Sequence, residues 1–357
     1  MNNGRYMAIP PGAIVPGALP DFRIFVVTLQ GKYVLWAREG NIVSSEQLAR
    51  LSDNGTKEVF VDIGEQFKYE QYLETNLGNI LGNQSTQDDQ KADIFSKVST
   101  NVVKGAFETS YGLGTMGAAA IQRTQQLIEN ALIFIKEAKS LQALAKMIGH
   151  DYQTYEHATK VLWFTVAFLQ LNPDILEQIE PGDQAFDETK RIDRLRQCGV
   201  GALLHDIGKT FVSHEILTKN EPLTEVEWEI MKRHPLNGLA MLIDTDIPTF
   251  VKKAVLHHHE DFQGGGYPMS LEGPNITTLA RVLRIIDVFD AMTSRRPYKD
   301  PMPPMKAAQI MIGTPEDKKG KDDDPEQDDR DLGMRRCFDV DLLQKFIVFL
   351  GNVKLNG

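Results

Sequence analysis

Beyond residue 95 this 357-residue sequence shows almost no two-residue apolar alternation; its apolar residues recur at helical spacing instead. Ile121, Leu127, Ala131, Leu132, Phe134 and Ile135 mark such a stripe over 121–138. Segments 154–171, 190–204, 224–243, 249–259, 276–293 and 304–312 repeat the pattern, and 340–350 closes the series. The C-terminal two-thirds is therefore expected to be all helical. The N-terminal stretch differs. Residues 22–28 and 33–36 are rich in Val, Phe, Ile and Tyr around Gln30-Gly31, which predicts a hairpin. Ser44 and Gln47 have the spacing of a capping box, opening a short helix through Leu51. Residues 58–61 return as a strand after Asn54-Gly55. The expected fold class is mainly α: a helical bundle over 140–357, preceded by a small α/β domain over 1–80. Between them, 81–139 read as linker and connecting helices, with 82–93 the polar linker proper. No catalytic constellation appears in 1–80, which reads as a regulatory or structural appendage.

The net charge is −10 and the pI about 5.4, without the basic footprint of a chain that binds polymeric nucleic acid through its backbone. Half of that charge lies in an insertion at 315–331, whose nine acids and four bases read as a solvated loop. Two cysteines, Cys198 and Cys337, form neither a disulfide framework nor a C-x-x-C pair, which fits a reducing cytosol. The N-terminus lacks a signal-peptide apolar core. The longest apolar stretch, 161–171, is shorter than the ~20 residues of a membrane span. A cytoplasmic protein without membrane insertion is expected.

The histidines carry most of the chemical signal. His205-Asp206 ends one apolar run and precedes Ile207-Gly208-Lys209. His257-His258-His259-Glu260 ends another and leads into a glycine run, and Asp287 lies inside the apolar segment 282–288. An aspartate in such a segment is costly to bury unless paired or metal-bound. Adjacent His and Asp can supply a neutral nitrogen and a bridging carboxylate, as two metal ions about 3.5–4 Å apart require. Mixed nitrogen and oxygen donors suit Fe, Mn, Zn or Ni better than Mg. Spacing alone leaves two readings open: a metal site, or a set of buried polar residues in a helical bundle.

Five stretches, taken in order, resemble the HD-GYP family, a branch of the HD phosphohydrolases. They are YEHATKV (155–161), LLHDIGK (203–209), ILTKNEPLTEVEWEIMKRHPLNG (216–238), HHEDFQGGGYP (258–268) and RIIDVFDAMTSRRPYK (284–299). The HD pair marks a broad superfamily, whereas the HHE-to-GYP stretch with the following D-x-F-D-A and RPY is far more specific. The resemblance spans roughly residues 140–350 and implies an HD-type bundle. It implies metal ligation by His157, His205, Asp206, His234, His258, His259 and Asp287, with Asp206 bridging. His257 precedes the matching pair and reads as a capping or surface residue. Lys209 matches the lysine near the scissile phosphate, and Tyr267, Arg296 and Lys299 match substrate-phosphate contacts. The implied reaction is hydrolysis of cyclic di-GMP to pGpG, and onward to GMP, by a hydroxide bridging two divalent ions, Fe or Mn. Gln153 stands where some members carry a glutamate that helps hold a third metal, so two ions are expected. Gln263 stands where Asp or Asn is usual. Rival readings are a phosphodiesterase for another cyclic dinucleotide such as cyclic GMP-AMP, a non-hydrolytic cyclic dinucleotide receptor, and a mononucleotide hydrolase. Besides cyclic di-GMP, the partners expected are a second copy or a signalling protein met through residues 1–80.

Overall fold

The structure, a computed structural model, describes residues 4–83, 86–135, 154–181, 186–294, 300–313 and 333–352. The chain forms two compact units, one from residues 1–99 and 129–143, the other from 100–128 and 144–357.

The first unit holds one antiparallel sheet of β1 (Tyr6–Ile9), β2 (Ile24–Val27), β3 (Tyr33–Ala37) and β4 (Val59–Asp62), in the order β1-β4-β2-β3. The predicted hairpin forms, with Val27 opposite Tyr33 and Val26 opposite Val34. Gly31 takes the positive φ of 75° that its turn needs. The capping box opens α1 (Ser45–Asp53): Gln47 N donates to Ser44 Oγ at 3.2 Å and Ser44 N to Gln47 Oε1 at 2.8 Å. Strand β1 was not anticipated from the sequence. Helices α2 (Gln66–Thr75) and α3 (Leu77–Gly82) follow. Phe22 is fully buried against the rings of Tyr69 and Tyr72, at centroid separations of 5.5 and 5.3 Å. The polar stretch expected as linker over 82–93 is shorter, since α4 (Asp88–Leu113) begins inside it. Asp88 and Asp89 suit the positive end of that helix. Helix α5 (Ala118–Ile135) comes next.

The second unit is helical, as expected. It contains α6 (Thr154–Leu171), α7 (Pro173–Gln178), α8 (Glu188–Leu204), α9 (His214–Leu217), α10 (Glu225–Met231), α11 (His234–Leu242), α12 (Thr249–His257), α13 (Thr278–Thr293), α14 (Pro304–Ile312) and α15 (Val340–Asn352). Helix α6 is buried on every side, which explains its apolar run: Val161, Leu162, Trp163, Val166, Phe168 and Leu169 are all enclosed. It packs along α8 and α13, and α12 packs against α8 and α13. Edge-to-face contacts join Phe164 and Phe168 of α6 to Phe289 of α13 and to Phe346 and Phe349 of α15. No described helix is long and apolar enough to cross a membrane.

The segment 224–243, read as one helix, is two. Pro235 has no amide hydrogen to continue the ladder, so α10 ends at Met231 and α11 restarts at His234. The 3-10 turn Ile207–Phe211 packs directly on α11. A Cβ at Gly208 would lie 2.0 Å from the His234 carbonyl oxygen and 2.5 Å from Gly238 N. Neither backbone atom can step aside cheaply. Gly208→Ala is therefore expected to destabilise this unit by about 3 kcal/mol, the upper part of the overpacking range. Thermal denaturation should show a midpoint lowered by roughly 6–12 °C for a unit of this size.

Candidate metal centre

Helix ends bring the candidate ligands together. His205 caps the C-terminus of α8 and Asp206 follows it; His258 caps α12 and His259 follows; His234 is the first residue of α11. His157 lies in the first turns of α6 and Asp287 in mid-α13. The ligand atoms of Asp206, His234, His258 and His259 lie within 4.8 Å of one another, and so do those of His157, His205 and Asp287. All seven side chains that the sequence singled out for metal thus meet in two adjoining groups.

Asp206 stands between the groups. Its Oδ1 faces His234 Nε2 at 3.3 Å and His258 Nε2 at 3.7 Å. Its Oδ2 faces His205 Nε2 at 3.4 Å and His157 Nε2 at 3.6 Å. Asp287 Oδ1 lies 3.1 Å from His157 Nε2. One carboxylate therefore presents each oxygen to a different set of nitrogens.

The protons on these rings are fixed from behind. The Nδ1 atoms of His205, His234 and His258 lie 2.7, 2.8 and 2.7 Å from the carbonyl oxygens of Ala202, Met231 and Val255. A carbonyl only accepts, so each Nδ1 donates, and each neutral ring turns an Nε2 lone pair inward. His157 Nδ1 donates to Asp290 Oδ2 at 2.7 Å. His234 Nε2 and His258 Nε2 then approach at 3.2 Å with no proton between them. His205 Nε2 and Asp206 Oδ1 are buried without a hydrogen-bond partner. Lone pairs facing lone pairs and a carboxylate repel unless a cation sits among them, so this donor set fits a metal ion.

Electrostatics agree. Burial alone would raise the Asp206 carboxyl, but the Lys209 ammonium holds it well below the usual carboxylate range. Burial likewise opposes ionisation of Asp287, and His157 prevails in keeping it well below that range. Burial pushes His258 down to about 4, and burial with the neighbouring rings of His258 and His234 holds His259 well below its ordinary value. The centre thus offers ionised carboxylates, with the His258 and His259 rings neutral at neutral pH.

Lys209 lies at the rim, its Nζ 2.6 Å from Asp206 Oδ2. The Tyr267 ring stacks on His259 at 4.8 Å, and burial raises its phenol. Gly264 and Gly265 take φ of 89° and 86° in the loop that presents it. At Gly266 a Cβ would meet Asp261 N at 2.3 Å, so the loop lies flat on the end of the histidine run. Arg296, Lys299 and Gln153, and the insertion at 315–331, lie outside the described residues. His257 stays out of both groups and is buried at the end of α12 rather than on the surface.

Three supporting features were missed from the sequence. Asp290 holds His157 and accepts from Ser294 Oγ at 2.9 Å, while Lys160 Nζ donates to Ser294 Oγ at 2.9 Å. Its one signal was its position a helical turn beyond Asp287. Glu260, 1% exposed, accepts from Met269 N at 2.6 Å and Leu271 N at 2.9 Å, bracing the glycine loop. Arg284 pairs with Asp261 at 2.7 Å and sits 3.2 Å from His259 Nδ1. Arg284 donates to Nδ1, so the proton of that ring lies on Nε2.

Residues 188–319 match the HD domain family. The chain is 29% identical over 290 residues to the cyclic di-GMP phosphodiesterase PA4108 of Pseudomonas aeruginosa, covering 77% of this chain and 66% of that protein. It is 38% identical over 110 residues to 3'3'-cGAMP-specific phosphodiesterase 3 of Vibrio cholerae, covering 31% of this chain and 24% of that protein. The match thus spans less than two thirds of either relative. The fold also matches Bd1817, a HDG"Y"P protein from Bdellovibrio bacteriovorus, with a TM-score of 0.54 at 19% identity over 97% of this chain and 99% of that one.

Two substitutions separate holding a metal from orienting a ligand. Asp206→Ala is expected to leave no metal after dialysis, read by elemental analysis. Asp290→Asn keeps the shape but weakens the acceptor behind His157, and metal affinity should fall about 10–100-fold. Unchanged affinity in Asp290→Asn would remove its orienting role.

Proposed function

We propose that this chain, which matches the HD domain family over residues 188–319, is an HD-GYP-type cyclic di-GMP phosphodiesterase. The observation that carries the chemistry is the Asp206 carboxylate, each oxygen turned to its own set of imidazole nitrogens. The substrate reading is supported by the GYP loop, the Arg296/Lys299 segment and the likeness to a named cyclic di-GMP phosphodiesterase. The proposed ligands are His157, His205, Asp206, His234, His258, His259 and Asp287, holding two divalent ions. Iron and manganese fit this donor chemistry. A third ion is not proposed, because Gln153 is neutral. When bound, such ions make a hydroxide nucleophile available near neutral pH and polarise the phosphoryl group.

The chain's own groups do the rest. Asp206 spans the two nitrogen sets and fixes their separation. Lys209, held at Asp206 Oδ2, directs its ammonium toward phosphoryl oxygens as their charge grows. Tyr267, Arg296 and Lys299 position the phosphates, the arginine by a bidentate fork. Attack at phosphorus breaks the bond to the 3′ oxygen, which takes a proton, and linear pGpG results; a second round gives GMP. The likeness to a cGAMP-specific enzyme favours 3'3'-cGAMP as the competing substrate. The proposal extends to a cytosolic protein that pairs with itself or a signalling partner through residues 1–80, and light scattering of the full chain reads its association state.

Protein loaded with Mn or Fe(II) should convert cyclic di-GMP to pGpG and then GMP, followed by ion-exchange chromatography. Lys209→Ala should lower kcat by about 10²–10³ with metal content retained. A fully metal-loaded wild type that yields no product sinks the proposal, and higher kcat/KM on 3'3'-cGAMP reassigns the substrate.

A further inference from the structure

We infer that Trp228 is the platform on which a purine base of the substrate stacks, which makes it a specificity-determining residue of this site. The inference deepens the nucleotide phosphodiesterase reading and rests on it. Large aromatic side chains are normally withdrawn from water. Trp228 is 44% exposed, on a helix whose geometry is unusually well determined. Helix α10 opens with a full capping box: Glu227 N donates to Thr224 Oγ1 at 3.3 Å, and Thr224 N donates to Glu227 Oε2 at 2.7 Å. Lys219 Nζ clamps the same glutamate, at 2.8 Å to Oε1 and 2.5 Å to Oε2. The first turn of α10 is thereby fixed, and Trp228 is the next residue.

The indole is placed by its neighbours as well. It meets the Tyr267 ring at 6.1 Å with an interplanar angle of 76°. Tyr267 in turn stacks on His259, which belongs to the group around Asp206. Three rings thus lead from the metal-facing imidazole out to solvent. The edge-to-face contact leaves part of the indole open, and its exposure shows that solvent reaches it. Phosphate chemistry takes place at the inner end of this series, so a base attached through its ribose reaches outward along it. An exposed indole at that distance offers a rigid π-surface for the base, while the cations at the centre read only phosphate.

The test compares two ligands that share ribose and phosphate and differ in the base. Binding of GMP and of ribose 5-phosphate to metal-loaded protein is measured by calorimetry for wild type, Trp228→Ala and Trp228→Phe. The expected result is GMP affinity about 10-fold or more weaker in Trp228→Ala. Ribose 5-phosphate affinity should stay within about two-fold, since it has no base to stack, and Trp228→Phe should recover most of the GMP loss. Equal GMP affinity in wild type and Trp228→Ala overturns the inference. So does an equal loss for both ligands, which marks a structural role, or a wild type that binds GMP no better than ribose 5-phosphate. Cyclic di-GMP turnover by the same wild-type preparation is read separately. Absent turnover with a base-dependent Trp228 effect therefore refutes the phosphodiesterase reading alone.

Discussion

The carboxylate of Asp206, ionised and 1% exposed, sits among imidazoles of which three have Nδ1 committed to backbone carbonyls, and that arrangement suits a cation. The commitment comes from helix termination. Ala202, Met231 and Val255 lie in the last turns of α8, α10 and α12, where carbonyls have no intrahelical donor left. Each instead accepts from the Nδ1 of the histidine three residues on. The chain thus satisfies three orphan carbonyls and orients three imidazoles with the same hydrogen bonds. His157, in the first turns of α6, is met instead by Asp290 of α13. The break between α10 and α11 is part of the same design, because it frees the Met231 carbonyl for His234. The close backbone contact at Gly208 then holds α11 against the turn that follows Asp206.

Much of this was legible in the sequence because it is local. Helical periodicity gave the fold class, and His-Asp and His-His pairs at the ends of apolar runs marked where helices stop and donors gather. The β2–β3 hairpin and the Ser44/Gln47 cap were legible for the same reason, being decided by neighbours within a few residues. What stayed hidden depends on distance. Asp290 acts on a residue 133 positions away, and no period reveals that pairing. Glu260 sits inside a motif noticed for its histidines, yet its partners are the amides of Met269 and Leu271, set by how the loop folds back. The α10–α11 break had a visible signal in Pro235, but the flanking residues continue the apolar spacing and mask it.

In the segment from His258 to Leu271 the histidine pair and the glycine loop are tied together. It supplies two imidazoles to the centre, then Glu260, then the glycines, then Tyr267. Tyr267 N donates to the carbonyl of His259 at 3.2 Å while its ring stacks on the His259 imidazole. The Glu260 carboxylate accepts the amides of Met269 and Leu271 beyond Tyr267, and Arg284 couples Asp261 to His259. His259 and Tyr267 are thus joined through both backbone and ring, and Tyr267 meets the edge of Trp228. Loops that bind ligands are ordinarily the mobile parts of a fold. This one is pinned by a buried carboxylate and an ion pair, which hold Tyr267 against His259.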